Sequence, residues 1–108
     1  MRLSKHLNEM KIWLDDVRKS PSGWIHVKTV EELIPFVKKN YDKIKEISLD
    51  HDLGLDVMSG YEFVTWLEEM VFTGKYKTIP KIKIHSDNPV GRRKMEQGLK
   101  SIRGRLKE

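Results

Sequence analysis

"EISLDHDLGLD", Glu46 to Asp56, runs from the apolar Ile47-Ser48-Leu49 straight into Asp50, His51, Asp52 and Asp56. The apolar stretch reads as a strand that ends at Asp50. Solvated loops carry Asp, but seldom as Asp-His-Asp directly behind a strand. The fold follows from what flanks this stretch.

Upstream, "KIWLDD" is a compact strand signal of Ile12, Trp13 and Leu14 followed by Asp15 and Asp16. A continuous apolar run suits a strand buried on both faces, as in parallel sheets. "VRKSPSG" is a loop marked by Pro21 and Gly23, and "WIHVKT" is a second strand rich in β-branched residues. "TVEELIPFVKKNYDKI" then predicts a helix, with Thr29 as cap, Glu32 at the capping-box spacing, and Val30, Leu33, Ile34 and Val37 as its apolar stripe. Downstream, "GYEFVTWLEEMVFTGKY" predicts a second helix that Gly74 stops. "PKIKIHS" is a fourth strand, and "DNPVGRRKMEQGLKSIRGRLKE" is a basic helix with Asn88 as cap and Pro89 in its first turn. Strands alternating with helices imply an α/β fold with a parallel sheet and right-handed crossovers.

At 108 residues the chain has room for one small domain. Residues 1–10 read as a polar tail and residues 11–108 as the domain. No run approaches a membrane span and the N-terminus lacks the apolar region of a signal peptide, so no membrane partner is expected. There is no cysteine, which excludes disulfides and thiolate metal sites and fits a reducing cytoplasm. The net charge of +5 is concentrated after Val90. It marks either an attraction to nucleic acid or an ordinary solvated helix face.

In open parallel sheets, ligands bind beyond the carboxyl ends of the strands. Here those ends carry Asp15-Asp16, Asp50-His51-Asp52 and His85-Ser86-Asp87-Asn88. Clustered carboxylates repel unless a cation joins them or one takes a proton. Asp15, Asp16, Asp50 and Asp52 are therefore candidate ligands for Mg²⁺ or Mn²⁺, and nearby histidine shifts the preference toward Mn²⁺. The alternative is that they are strand-end caps. An unperturbed imidazole changes charge near neutral pH, so His51 and His85 are candidates for proton transfer beside Asp50. Alternation along the fourth strand turns His85 away from Ser86, which favours His51. Ser86, Asn88 and Arg92, with Arg18 from the first loop, are candidate phosphate ligands, since helix N-termini and arginine both suit that anion. Asn88 as a plain cap is compatible with this. His26, inside the second strand, reads as a packed or edge residue.

Taken together, "KIWLDDVR", "GWIHVKTVEE", "ISLDHDLG" and "IHSDNPVGR" resemble the cyclic-phosphate-processing receiver-like family, over nearly everything after Met10. The resemblance implies a small receiver-like sheet of four strands in order 2-1-3-4, lacking the usual first helix and the fifth strand. Asp15-Asp16, Asp50 and Ser86 match the receiver positions, with Gly60 in the usual glycine's place. Strand length points to Asp50 as the receiver acidic residue, whereas the spacing to Gly60 suits Asp52. The resemblance also implies a role on RNA 2′,3′-cyclic phosphate ends or cyclic nucleotides. A metal-dependent phosphoesterase is the first functional expectation. A phosphoacceptor at Asp50, or a non-catalytic module that binds RNA or a protein through its basic terminal helix, are the alternatives. The lysine that couples a signalling receiver's phosphorylation to its switch would go with the fifth strand.

Overall fold

The computed structural model describes residues 9–50 and 59–107. His51 and Asp52 therefore lie outside the described residues, as does most of the expected tail. Strand β1 is Met10–Leu14, β2 is Ile25–Val27, β3 is Ile44–Leu49 and β4 is Lys81–Ile84. Helix α1 is Val30–Asn40, α2 is Gly60–Phe72 and α3 is Pro89–Leu106, with a 3₁₀ turn at Tyr41–Lys43 leading into β3. The sheet is four-stranded in order β2-β1-β3-β4 and parallel at every pairing. The expected architecture is the one observed. Among the described residues, no helix connects β1 to β2.

The helices begin where their side chains can satisfy the first free N–H groups. Thr29 Oγ1 accepts from Glu32 N at 3.1 Å at the start of α1. Ser59 starts α2, accepting from Tyr61 N at 3.2 Å while Glu62 accepts from Ser59 N at 2.8 Å. Asn88 Oδ1 accepts from Gly91 N at 3.0 Å, and Pro89 fills the first position of α3. Gly74, past the end of α2, has φ of 80°, the left-handed conformation that glycine adopts without strain.

Period-two alternation sorts the strand residues onto two faces. The register aligns Ile12 with Ile25 and Ile47, and Leu14 with Val27 and Leu49. Ile47 in turn aligns with Ile82, and Leu49 with Ile84. This aliphatic face forms the core with Val30, Leu33 and Val37 of α1, Phe63, Val64 and Leu67 of α2, and Met95, Leu99 and Ile102 of α3. The crossovers β2-α1-β3 and β3-α2-β4 step across the sheet in one direction. Right-handed connections therefore put both helices on the same face, and α3 packs beside α2. That packing is close: a Cβ on Gly98 would stand 2.7 Å from Val64 Cγ1.

The second face carries Lys11, Trp13, Trp24, His26, Glu46, Ser48 and Lys83, and no described helix covers it. Trp13 and Trp24 meet edge to face at 5.8 Å, and the Lys11 ammonium lies 5.5 Å over the Trp24 ring. Glu46, buried on the central strand, pairs with Lys83 at 3.2 Å. Among the described residues, no helix is long and apolar enough to cross a membrane.

Candidate functional site

Each of β1, β3 and β4 is extended by one ladder bond beyond its last strand residue. Asp15 N donates to Val27 O at 3.1 Å, Asp50 N to Leu14 O at 3.1 Å, and His85 N to Leu49 O at 2.9 Å. Because Leu14, Leu49 and Ile84 share one register level, Asp15, Asp50 and His85 share the next. They fall on the face opposite those aliphatic residues. Each offers one ligand atom, and the three atoms lie within 4.8 Å of one another.

Asp15 is buried at 1 % exposure and thoroughly held. Its Oδ1 accepts from Val17 N at 2.9 Å and Arg18 N at 2.8 Å, and its Oδ2 faces His85 Nε2 at 3.0 Å. Burial pushes the Asp15 carboxyl up. The N–H groups of Arg18 and Val17 and the His85 ring outweigh burial and hold it below the ordinary carboxylate value. His26 Nε2 lies 2.7 Å from the Asp15 carbonyl oxygen, which only accepts, so this nitrogen carries the proton.

Both nitrogens of His85 are engaged. A carboxylate only accepts, so Nε2–H donates to Asp15, and in the neutral ring Nδ1 accepts from Ser48 Oγ at 2.7 Å. The imidazole also stacks on Trp13 with centroids 3.8 Å apart. A ring fixed on three sides presents one nitrogen toward Asp15 and Asp50 and leaves the other to a hydroxyl. A cation at the first nitrogen would need its lone pair, so the proton would move to Nδ1 and be donated to Ser48 Oγ, the arrangement that orients metal-ligating histidines.

Gly60 closes the site from α2. A Cβ there would fall 2.1 Å from the Asp50 carbonyl oxygen, so the helix can approach the end of β3 only with glycine. On the other side, Arg18 donates to the His85 carbonyl oxygen at 3.1 Å and pairs with Asp87, tying the first loop to the start of α3. Both partners are substantially exposed, and such a pair is worth about 0–1 kcal/mol. The pair therefore adds little to hold Arg18 in place.

The remaining predicted residues that are described, Arg18 aside, fall outside this cluster. Asp16 is half-buried and does not join the group of three. Ser86 is buried and its Oγ accepts from Asn88 N at 3.1 Å, while Asn88 caps α3. Since Pro89 has no N–H, and Gly91 and Arg92 both donate to Asn88, Val90 alone keeps an N–H unused by those bonds in the first turn. Arg92 is exposed and pairs with Glu96 at 3.3 Å. Sequence reasoning overlooked Ser48 and Trp13 and treated His26 as packing. The signal was available, since Trp13 and Ser48 each precede a site carboxylate by two strand positions and so share its face. Two shallow hollows, one lined by Tyr41, Ile79 and Pro80, the other by Tyr76 and Leu106, lie at the opposite strand ends.

A parallel sheet in this order, with acids at the carboxyl ends of its first and third strands, defines a receiver-like domain. The chain belongs to the cyclic-phosphate processing receiver domain family, whose model matches residues 10–101. A comparison with curated proteins and one with solved structures returned no match.

Proposed function

We propose that this domain hydrolyses a cyclic phosphodiester with the help of a divalent cation held by Asp15, Asp50 and His85. The observation that carries the proposal is the convergence of their ligand atoms within 4.8 Å. Two carboxylates and an imidazole fit Mn²⁺ better than Mg²⁺, because Mg²⁺ prefers oxygen donors. A cation bound there would acidify a coordinated water and offset charge on the phosphate oxygens.

The chain's own residues supply orientation and proton handling. Asp15 is held anionic by its backbone donors. Ser48 and Trp13 hold the His85 ring. Arg18 stands at the rim where a phosphate would enter. Hydrolysis forms one P–O bond and breaks another, and the departing ring oxygen takes up a proton. His51, next to Asp50 in sequence, is the proposed proton-transfer residue, since both His85 nitrogens are engaged. Asp52 is a further proposed ligand on sequence proximity. A reducing cytoplasm is the proposed setting.

The test is ³¹P NMR of cyclic phosphates incubated with the protein and Mn²⁺ or Mg²⁺. Ring opening to a phosphomonoester that Asp15→Asn and Asp50→Asn abolish is the expected result. His51→Ala should slow it by roughly a hundredfold to ten-thousandfold. No turnover on any cyclic phosphate with either ion would overturn the assignment. A phosphoryl group trapped on Asp50 under the same conditions would favour a phosphoacceptor instead.

A further inference from the structure

Helix α3 carries the whole of the chain's charge surplus. Its residues hold six Lys and Arg against one acid, Glu96, a surplus of five, and the entire chain is +5. Everything outside the helix therefore sums to zero. Evenly scattered solubilising lysines would not give this distribution.

The charges are also sorted around the helix. Gly91, Met95, Leu99 and Ile102 form its buried stripe. At about 100° per residue, Arg92, Arg93, Lys100 and Arg103, with the C-cap residue Lys107 just past the helix end, fall within an arc of about 100° on one side of that stripe. All five are exposed. Lys94 and Arg105 fall on the other side, over the rings of Tyr61 and Phe72 at 6.0 and 5.4 Å. Glu96 lies within the basic arc but is matched by Arg92.

The helix starts at the candidate site. Its cap, Asn88, follows His85 by three residues, and 18 residues of helix extend about 27 Å from there. Lys100 and Arg103 stand roughly 17 and 21 Å along it. A single cyclic nucleotide at Asp15 and His85 does not reach them, whereas a polynucleotide does. We propose that this arc holds the backbone of a single-stranded RNA whose terminal 2′,3′-cyclic phosphate enters the Asp15–Asp50–His85 cluster. The proposal rests on the function argued above and narrows its substrate. Only ribose carries the 2′-oxygen that such a ring needs, so DNA is not the ligand. An anionic membrane is disfavoured, because an interfacial helix inserts an apolar face, and that of α3 is spent on the core.

The experiment measures binding in EDTA, where turnover does not intervene. Labelled oligoribonucleotides with cyclic ends, from dinucleotide to octanucleotide, are titrated by fluorescence anisotropy across a salt series, beside a cyclic mononucleotide. Affinity should climb with length. Each phosphate contact to a single strand contributes about 0.7 to the salt slope. The combined Arg93→Glu, Lys100→Glu and Arg103→Glu variant should therefore flatten that slope by about 2 and weaken the octanucleotide at least tenfold. Length-independent affinity of the wild type would overturn the proposal, as would an unchanged slope in the variant or tighter binding to phosphatidylserine vesicles than to the octanucleotide. Length-dependent RNA binding without hydrolysis of any cyclic end would sink the hydrolase assignment and retain the RNA surface.

Discussion

The imidazole of His85 lies flat on the indole of Trp13, with centroids 3.8 Å apart and planes within 6°. Trp13 belongs to β1 and His85 follows β4, yet β3 runs between those strands. The two rings therefore meet over β3, at the level where Ser48 pairs with Trp13 in register. Ser48 is only 3 % exposed in consequence, and its hydroxyl is left to serve His85 Nδ1.

Ser48 should act by positioning His85 rather than by touching substrate. Its hydroxyl both donates and accepts, so it can serve either tautomer of the ring. Ser48→Ala is expected to weaken Mn²⁺ binding by about 10–100-fold, the usual cost of losing an orienting partner. Calorimetry reads this directly, and Ser48→Thr should restore part of it. Unchanged affinity in Ser48→Ala would show that Trp13 and Asp15 suffice to hold the ring.

The acids at the end of β1 should be unequal. Asp15 joins Asp50 and His85, and Asp16 does not. Asp50→Asn should abolish millimolar Mn²⁺ binding, while Asp16→Asn should reduce it far less. Equal losses in the two variants would return Asp16 to the ligand set.

Gly60→Ala tests how α2 holds the site. The new Cβ would meet the Asp50 carbonyl oxygen at 2.1 Å and Met95 Sδ at 3.0 Å. Backbone cannot yield as a side chain can, so the helix or the end of β3 must shift. Overpacking of this kind costs about 1–3 kcal/mol. Urea denaturation should show that loss, and Mn²⁺ affinity should fall with it. A variant of wild-type stability would mean that α2 has room to slide.

The depressed Asp15 carboxyl sets a pH dependence with a definite sign. Its folded pKa lies below its unfolded value. The resulting stability is complete above the unfolded value of about 4 and is lost as pH falls through the folded one. In EDTA, the wild-type urea midpoint should therefore fall more steeply below about pH 4 than that of Asp15→Asn. Parallel curves would show that Asp15 is no better stabilised as an anion in the fold than in the unfolded chain.

The sequence by itself determined the order of elements, the parallel sheet and the helix caps at Thr29 and Asn88. These follow from local causes: period-two and helical apolar patterns, capping side chains, and the handedness of crossovers. It also brought acids and a histidine to one edge of the sheet, since strand ends can be read from the chain alone. Which of them converge was decided only in three dimensions. Neighbouring residues on an extended chain point to opposite faces, so Asp15 and Asp16 could not be ranked until the register placed Asp15 level with Asp50 and His85. The same register set His85, rather than Ser86, beside the acids. The partners that hold His85 come from β1 and β3, 72 and 37 residues away along the chain. No local pattern encodes a contact at that separation, and packing across the sheet is what brings Trp13 and Ser48 to it.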